Sequence, residues 1–383
     1  MISRKEFDAY NRQVADLGDK AAGDVEKSIM AWCREHGDAT VAEKREAAKV
    51  IMDGFVQAYD ETAADFAAEW YEYRAEQGSV RLDQALTMTT YSPESVDEVA
   101  RYQAKKLVKE GDAAFAKACG EYARNDLFRS LNETVIANVG RDRDKGAMFA
   151  RVPTGFETCA FCLMLASRGA VYHSRKSAGE FRHFHRNCDC KVVPSFEDDP
   201  EAELVEGVKP KELYERYRVI KQIDSTEDLS ASNKEELKER ALRAEFDSIA
   251  GKRLGSAKYV KSRDSLEEHE KAGIDYLLLN GFDVETIDED PHAPANLDIS
   301  MNGELWEMKN LTNCASSVSN QVKRARIKWF KLGLSSPSRC VFTNEGNEDG
   351  FDETCVALEK RRRPGEVFIV ISNSGAVRVL DDK

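Results

Sequence analysis

The chain lacks any run approaching the roughly eighteen consecutive apolar residues of a membrane-spanning helix, and its opening residues, Met1 to Glu6, lack the apolar core of a signal peptide. Both absences argue against membrane insertion and leader-directed export. The expected location is the cytoplasm of the producing cell, with no membrane partner, unless another particle carries the protein out. Internal repeats are absent, as is any low-complexity tract outside one charge-rich stretch. A disulfide framework is missing too: the nine cysteines are odd in number and clustered, which fits a reducing compartment. There is no basic excess, since 56 Lys plus Arg face 69 Asp plus Glu for a net charge of −13, a balance that speaks to solubility rather than fold. At 383 residues and 42% hydrophobic content, the chain is long and apolar enough for about two or three domains with real cores.

What is present begins with Asn302-Gly303, a strong two-residue hairpin signal, flanked from Asn296 to Asn310 by period-two alternation. With those two residues as the loop, Met301 pairs with Glu304, Ser300 with Leu305, Ile299 with Trp306 and Asp298 with Glu307. Leu297, Ile299, Met301, Trp306 and Met308 then share an apolar face, while Asp298, Ser300, Glu307 and Lys309 share the other. Facing carboxylates repel and ask for a compensating cation. A divalent ion, Mg²⁺ or Mn²⁺ with Zn²⁺ as the alternative, held by Asp298 and Glu307 would lower the pKa of a bound water and stabilise charge on a scissile phosphate. Lys309 would orient the nucleophile or meet the phosphate. The plain alternative is a solvated polar face.

The flanks supply context. Ser265 to Asn280 reads as a helix with Ser265 as N-cap and Glu268 three residues on, ending before Gly281. A strand follows at Phe282 to Ile287, then the hairpin, then a basic helix over Ser316 to Leu332, then strands at Arg339 to Thr343, Glu366 to Ser372 and Ala376 to Leu380. In the basic helix Gln321, Lys323, Arg324, Arg326, Lys328 and Lys331 interleave with Val318, Val322, Ile327, Trp329 and Phe330, a pattern suited to a polyanion. An acid followed by Glu-x-Lys in this order of elements resembles the PD-(D/E)xK nuclease superfamily, which implies a restriction-endonuclease-like α/β domain over residues 261–383. The first helix offers Glu267, Glu268 and Glu270 for a further acid, with Glu270 carried into the candidate catalytic set beside Asp298, Glu307, Lys309 and Gln321.

Ala-Asn-Leu-Asp-Ile, Glu-Leu-Trp-Glu-Met-Lys-Asn and Ser-x-x-x-Gln-Val-Lys-Arg-Ala narrow the likeness: from about Ser265 the chain resembles the C-terminal tRNase domain of contact-dependent growth-inhibition toxins. That resemblance implies tRNA as substrate, with DNA as the alternative, a cognate immunity protein as partner, and a host translation factor as a further one. Residues 264–383 hold 14 Lys plus Arg against 22 Asp plus Glu, so phosphate contacts fall to Lys323, Arg324 and Arg326 and to Lys360-Arg361-Arg362-Arg363.

A second chemical signal is Cys159-Ala-Phe-Cys162 followed by His183-Phe-His185-Arg-Asn-Cys188-Asp-Cys190. This spacing suits a structural Zn²⁺ held by Cys159, Cys162, His185 and Cys188, with Cys190 and His183 as substitutes. Buried thiols or a redox Cys-x-x-Cys are the alternatives. The run from Arg151 through the cysteine pairs to Val192-Val193-Pro194 resembles phage minor head proteins of the MuF-like kind, which implies a virion role beside portal and capsid proteins. Helices are expected at about Ser3 to Glu35, Thr40 to Glu76 and Ser92 to Ala137, with Phe55, Val56, Tyr59, Phe66, Trp70 and Tyr73 as bundle core. The expected organisation is a helical domain over 1–200 with a zinc knuckle at about 151–194, a charged helical connector over 201–260 with helices at Lys211 to Ile220 and Asn233 to Leu254, and the α/β nuclease after it. Together these readings describe a phage-encoded toxin: a minor head protein carrying a metal-dependent nuclease, or else a purely structural capsid protein.

Overall fold

The computed structural model describes residues 1–154, 158–178, 190–311, 316–344 and 350–382. The chain divides into two units, Met1–Lys211 and Glu212–Lys383.

In the first unit, polar caps start the helices. Ser3 caps α1 (Arg4–Glu35), and Thr40 and Glu43 form a reciprocal capping box at the start of α2 (Val41–Gln77). Ser92 with Pro93 behind it opens α3 (Pro93–Gln103). The single helix expected over Ser92 to Ala137 is three: α3, α4 (Lys105–Lys109) and α5 (Asp112–Arg141). The breaks fall at Ala104 and at Gly111, and the latter has a φ of 87° that no side-chain-bearing residue adopts cheaply. Apolar residues at helical spacing build two cores. Val14, Tyr71, Leu131 and Phe149 belong to one, and Val25, Met52, Val56 and Phe115 to the other. Phe55, Tyr59, Phe66 and Trp70 pack against these cores as expected, whereas Tyr73 is exposed. The unit closes with β1 (Met148–Val152), α6 (Ala160–Ala166) and β2 (Lys191–Ser195), the strands pairing antiparallel with Ala150 opposite Val193.

Residues 80–92 form an extended strap laid along α5. Asn138 exchanges two hydrogen bonds of 2.8 Å with the backbone of Leu86, Thr134 bonds Met88 at 3.0 and 3.1 Å, and Ser130 Oγ accepts from Thr90 N at 2.8 Å. Four helical residues rise about 6 Å and two extended residues nearly 7 Å, so every second strap residue meets every fourth helix residue. Below this ladder the buried Asp60 accepts the Ser130 hydroxyl at 2.7 Å, beside the equally buried Asp126. Burial, then the charge of Asp126, pushes the Asp60 carboxyl up to about 7.

Among the described residues of the second unit, seven strands run in the order β3 (Ala257–Lys258), β4 (Val284–Thr286), β5 (Ile299–Met301), β6 (Glu304–Asn310), β7 (Arg339–Thr343), β8 (Val367–Ile371) and β9 (Val377–Leu380). The β3/β4, β6/β7 and β7/β8 pairs are parallel and the others antiparallel. The helices are α7 (Pro210–Ser225), α8 (Ala231–Arg243), α9 (Phe246–Ile249), α10 (Glu268–Leu279), α11 (Ser316–Lys331) and α12 (Phe351–Glu359). Val318, Val322 and Ala325 of α11 and Leu358 of α12 pack on Cys340, Phe342, Phe368 and Val370. Helix α10 covers the opposite face, where a Cβ on Gly273 would stand 2.5 Å from Met308 and 3.0 Å from Thr343.

Most of the expected connector belongs to this unit. Leu237 and Ala241 of α8 are buried, and Arg240 on α8 and Arg263 both meet the buried Asp275 of α10, at 2.8 and 2.5 Å. The charged residues of the expected connector are therefore the polar side of a packed helix. Strand β3 and helix α12 carry no strong periodic signal and were not expected.

Candidate active site

The hairpin turns at Asn302 and Gly303 with φ of 53° and 77°, the doubly positive geometry of a type I′ turn. Its register is Met301 opposite Glu304, Ser300 opposite Leu305 and Ile299 opposite Trp306. The expected pairing of Asp298 with Glu307 is not part of that register: the Asp298 N–H donates to Trp306 O at 3.2 Å, and its Oδ2 accepts the Met308 N–H at 2.6 Å. Leu297, Ile299, Met301, Trp306 and Met308 are all buried. Glu307 stands beside Cys340 and Lys309 beside Phe342 in the parallel register, so both project toward the face covered by α11.

Glu307 is completely buried. One of its oxygens, Oε1, receives the Lys309 ammonium and also the Lys328 ammonium, the latter at 2.5 Å. Lys328 is 3.7 Å from Asp298 as well, so two lysines balance two acids. The other oxygen, Oε2, is buried with no hydrogen-bond partner among the described residues. Burial, then the neighbouring Asp298, raises the Glu307 pKa above the usual carboxylate range, and the two lysines offset only part of that. Burial works against the Lys328 charge, yet Glu307 and Asp298 outweigh it and raise its pKa.

Above this cluster lies a cavity of about 430 Å³, lined by His269, Met308, Lys309, Asn310, Gln321, Arg324, Ile327 and Lys328. The size falls in the range of ligand pockets. Gln321 reaches in from α11, its amide donating to Asn310 O at 3.2 Å. Asp298, Glu307, Lys309, Gln321 and Arg324 are thus brought to one place.

Other expected residues lie elsewhere. Helix α10 starts at Glu268 with Glu267 as its N-cap, not at Ser265, and the Glu270 carboxylate is spent accepting the Glu267 N–H at 2.9 Å. The residue that α10 lends to the cavity is His269, one position earlier, on the turn above the sheet-facing Gly273. Arg326 turns inward to Glu366 at 2.5 and 2.8 Å and to Arg361 O at 2.6 Å, so it is not a solvent-facing phosphate ligand. Lys323 is exposed beyond the cavity rim. Arg361 bonds Ser319 and Ala357, and Arg362 bonds Glu359 and Asp382. Lys328 and His269 were missed as site residues. For Lys328 a signal existed, because Gln321, Arg324 and Lys328 run at helical spacing along one edge of the buried stripe Val318, Val322, Ala325 and Trp329.

At the cysteine cluster, Cys159 Sγ caps α6 by accepting the Cys162 N–H at 3.4 Å, and the Arg151 guanidinium lies 3.3 Å from Cys162 Sγ. Cys190 is buried. The expected partners His183, His185 and Cys188 lie outside the described residues. Among the described residues, no group of three or more His, Cys, Asp or Glu side chains is arranged to hold a metal, and no helix is long and apolar enough to cross a membrane.

Fold and site together define a two-part protein: a helical unit with a β-ribbon, followed by an α/β unit with an acid-and-lysine cluster under a cavity. The profile of the VG15 protein family matches residues 1–220, and the chain belongs to that family. It is similar to the gene 15 protein of Mycobacterium phage L5, 31% identical over 122 residues that cover 22% of this chain and 40% of that protein. It is also similar to the gene 15 protein of Mycobacterium phage D29, 39% identical over 77 residues covering 13% of this chain and 28% of that one. The chain thus spans less than half the length of these curated relatives. No solved structure matches.

Proposed function

We propose that this phage protein is a head-associated chain whose second unit is a metal-dependent nuclease that cuts tRNA in a susceptible cell. The observation that carries the enzymatic reading is the convergence of Asp298 and Glu307 on Lys309 and Lys328, two lysines that also line the cavity. The buried Glu307 Oε2, without a partner among the described residues and beside Asp298, suits a bound cation. Asp298 and Glu307 would hold Mg²⁺ or Mn²⁺, with Zn²⁺ as the alternative, and such an ion when bound supplies an activated water and charge stabilisation at a phosphate. Lys309 meets the phosphate oxygens, Gln321 holds the cavity wall through Asn310, and Arg324 meets the strand at the rim. A cognate immunity protein is the expected partner in the producing cell and a host translation factor a further one. Portal or capsid proteins would partner the first unit, where Zn²⁺ on Cys159, Cys162, His185 and Cys188 is proposed as a structural ion.

A purely structural head protein is the second reading. It is favoured by the family match, which supports a phage role for residues 1–220 and leaves the sheet unit to its own geometry. The test uses the full chain with total RNA and with plasmid DNA, with and without Mg²⁺ or Mn²⁺. Metal-dependent RNA cleavage lost in Asp298→Ala and in Lys309→Ala, with matching loss of killing in a host lacking the immunity protein, is the expected result. Plasmid cleavage instead makes the substrate DNA. Undiminished activity of both variants, or no cleavage of either polymer by the wild type, refutes the nuclease.

A further inference from the structure

Helix α11 carries a feature that the acid-and-lysine cluster does not use. Phe330 is 85% exposed, the most exposed aromatic side chain among the described residues, and Ile327 one turn before it is 43% exposed. Burying a phenylalanine is favourable and leaving one in water forgoes that gain, so an aromatic this open marks a contact surface when its surroundings name a partner. Here they do. The sixteen residues of α11 include Lys323, Arg324, Arg326, Lys328 and Lys331 and no acid at all, in a chain of net charge −13. Arg326 is turned inward and Lys328 bends to Glu307, which leaves Lys323, Arg324 and Lys331 on the solvent side around Ile327 and Phe330. Ile327 and Arg324 line the cavity together with Lys309 and Lys328, and Phe330 stands one turn further along α11 from Ile327.

We propose that Phe330, backed by Ile327 and ringed by Lys323, Arg324 and Lys331, is a stacking platform for an unpaired base of a single-stranded nucleic acid whose backbone runs into the cavity. The proposal rests on the nuclease reading and deepens it by naming the form of substrate. Two apolar side chains on one helical turn are too little for the core of a protein interface, which buries about 800 Å² per partner, and a ring of three cations suits a polyanion. One aromatic face with adjacent cations is what a flipped-out nucleotide requires, since every base offers a π-face and each flanking phosphate a negative charge. Bases inside a duplex are already stacked and offer no such face.

The test is equilibrium binding by fluorescence anisotropy, using the full chain in a chelator-containing buffer that prevents cleavage. The probes are a labelled unstructured RNA dodecamer, the matching single-stranded DNA, and the same RNA annealed to its complement. Phe330→Ala is expected to weaken single-strand binding by about tenfold to a hundredfold, Phe330→Trp to preserve it, and duplex binding to be weaker and insensitive to either change. Comparing the two single strands identifies the sugar preferred. If Phe330→Ala binds single strands as the wild type does while cleavage with metal persists, the platform is wrong and the nuclease stands. If the wild type neither binds nor cuts any nucleic acid, the reading beneath it fails. If the wild type is a dimer that Phe330→Ala converts to monomer, the ring covers a second copy of the chain and the platform is equally overturned.

Discussion

The buried acid pair beneath the strap makes the first unit sensitive to pH, and Asp60→Asn isolates the effect. In the folded chain the Asp60 carboxyl is pushed up to about 7, by burial first and by Asp126 second, from an ordinary value of 3.8. Between those two pH values the unfolded chain releases its proton while the folded chain keeps it. The stability from this group is therefore fully present below about pH 4 and is lost as pH rises toward 7, after which both states are ionised and the loss is complete. The gap between 3.8 and about 7 corresponds to about 4 kcal/mol, taken in full because Asp60 is completely buried. Asparagine cannot ionise, and its carbonyl still accepts the Ser130 hydroxyl that Asp60 accepts at 2.7 Å. The variant should match the wild type near pH 4 and exceed it by about 4 kcal/mol at pH 8. Native-state hydrogen exchange of the α2 and α5 peptides, corrected for intrinsic rates, measures the difference in each unit separately. Asp126 is also raised by burial and titrates with its neighbour, so the difference between variant and wild type is the quantity to follow. A difference that stays flat from pH 4 to 8, or one that grows toward acid, refutes the assignment.

Asn138→Ala removes both 2.8 Å bonds to Leu86 and should cost about 2 kcal/mol, read as earlier proteolytic nicking between residues 80 and 92. Glu366→Gln breaks a nearly buried pair with Arg326 and should destabilise the sheet unit by about 3 kcal/mol at pH 7, measured by urea unfolding. Burial alone would raise the Glu366 pKa, but Arg326, Ser338 and the Arg363 N–H hold it below the usual glutamate value, so this loss should shrink as pH falls below the ordinary carboxylate range.

Some of this fold was legible because local chemistry decides it. Thr40 with Glu43, and Ser92 with Pro93, announce helix starts that need no tertiary information, and β7 runs from Arg339 to Thr343 as its apolar run suggests. Other parts were hidden where packing outvotes the local pattern. The stretch from Ser92 to Ala137 keeps a helical period across Gly111, yet the chain turns there so that Val96 and Phe115 can enter the same core. The strap has no period of its own. Its conformation is written in Ser130, Thr134 and Asn138 on another element, where the polar residues looked like one face of an ordinary helix.

The candidate site divides along the same line. A two-residue turn fixes the register of Ile299 to Met301 against Glu304 to Trp306, and a slip of one residue would send Glu307 to the opposite face, so the shared face of Glu307 and Lys309 was legible; Asp298 lies one residue beyond the paired stretch and bonds Trp306 O and the Met308 N–H rather than standing in register with Glu307. A helix start carries no such lock. Ser265 with Glu268 fits the Ser/Thr-x-x-Glu capping pattern that Glu267 with Glu270 lacks, yet α10 starts at the later pair, and that choice decides which side chain α10 turns toward the cavity. The chain takes the later cap, Glu270 is consumed by it, and His269 arrives instead. The same reasoning explains Lys328. Two facing carboxylates do ask for a cation, but the sequence cannot say whether the answer is an ion or an ammonium until α11 is docked on the sheet. Docked, it supplies a second lysine that shares Glu307 Oε1 with Lys309, while Oε2 has no donor among the described residues. The electrostatic demand of the acid pair is therefore met on one oxygen and open on the other among the described residues, and under the proposed nuclease reading that open oxygen is where a cation would sit.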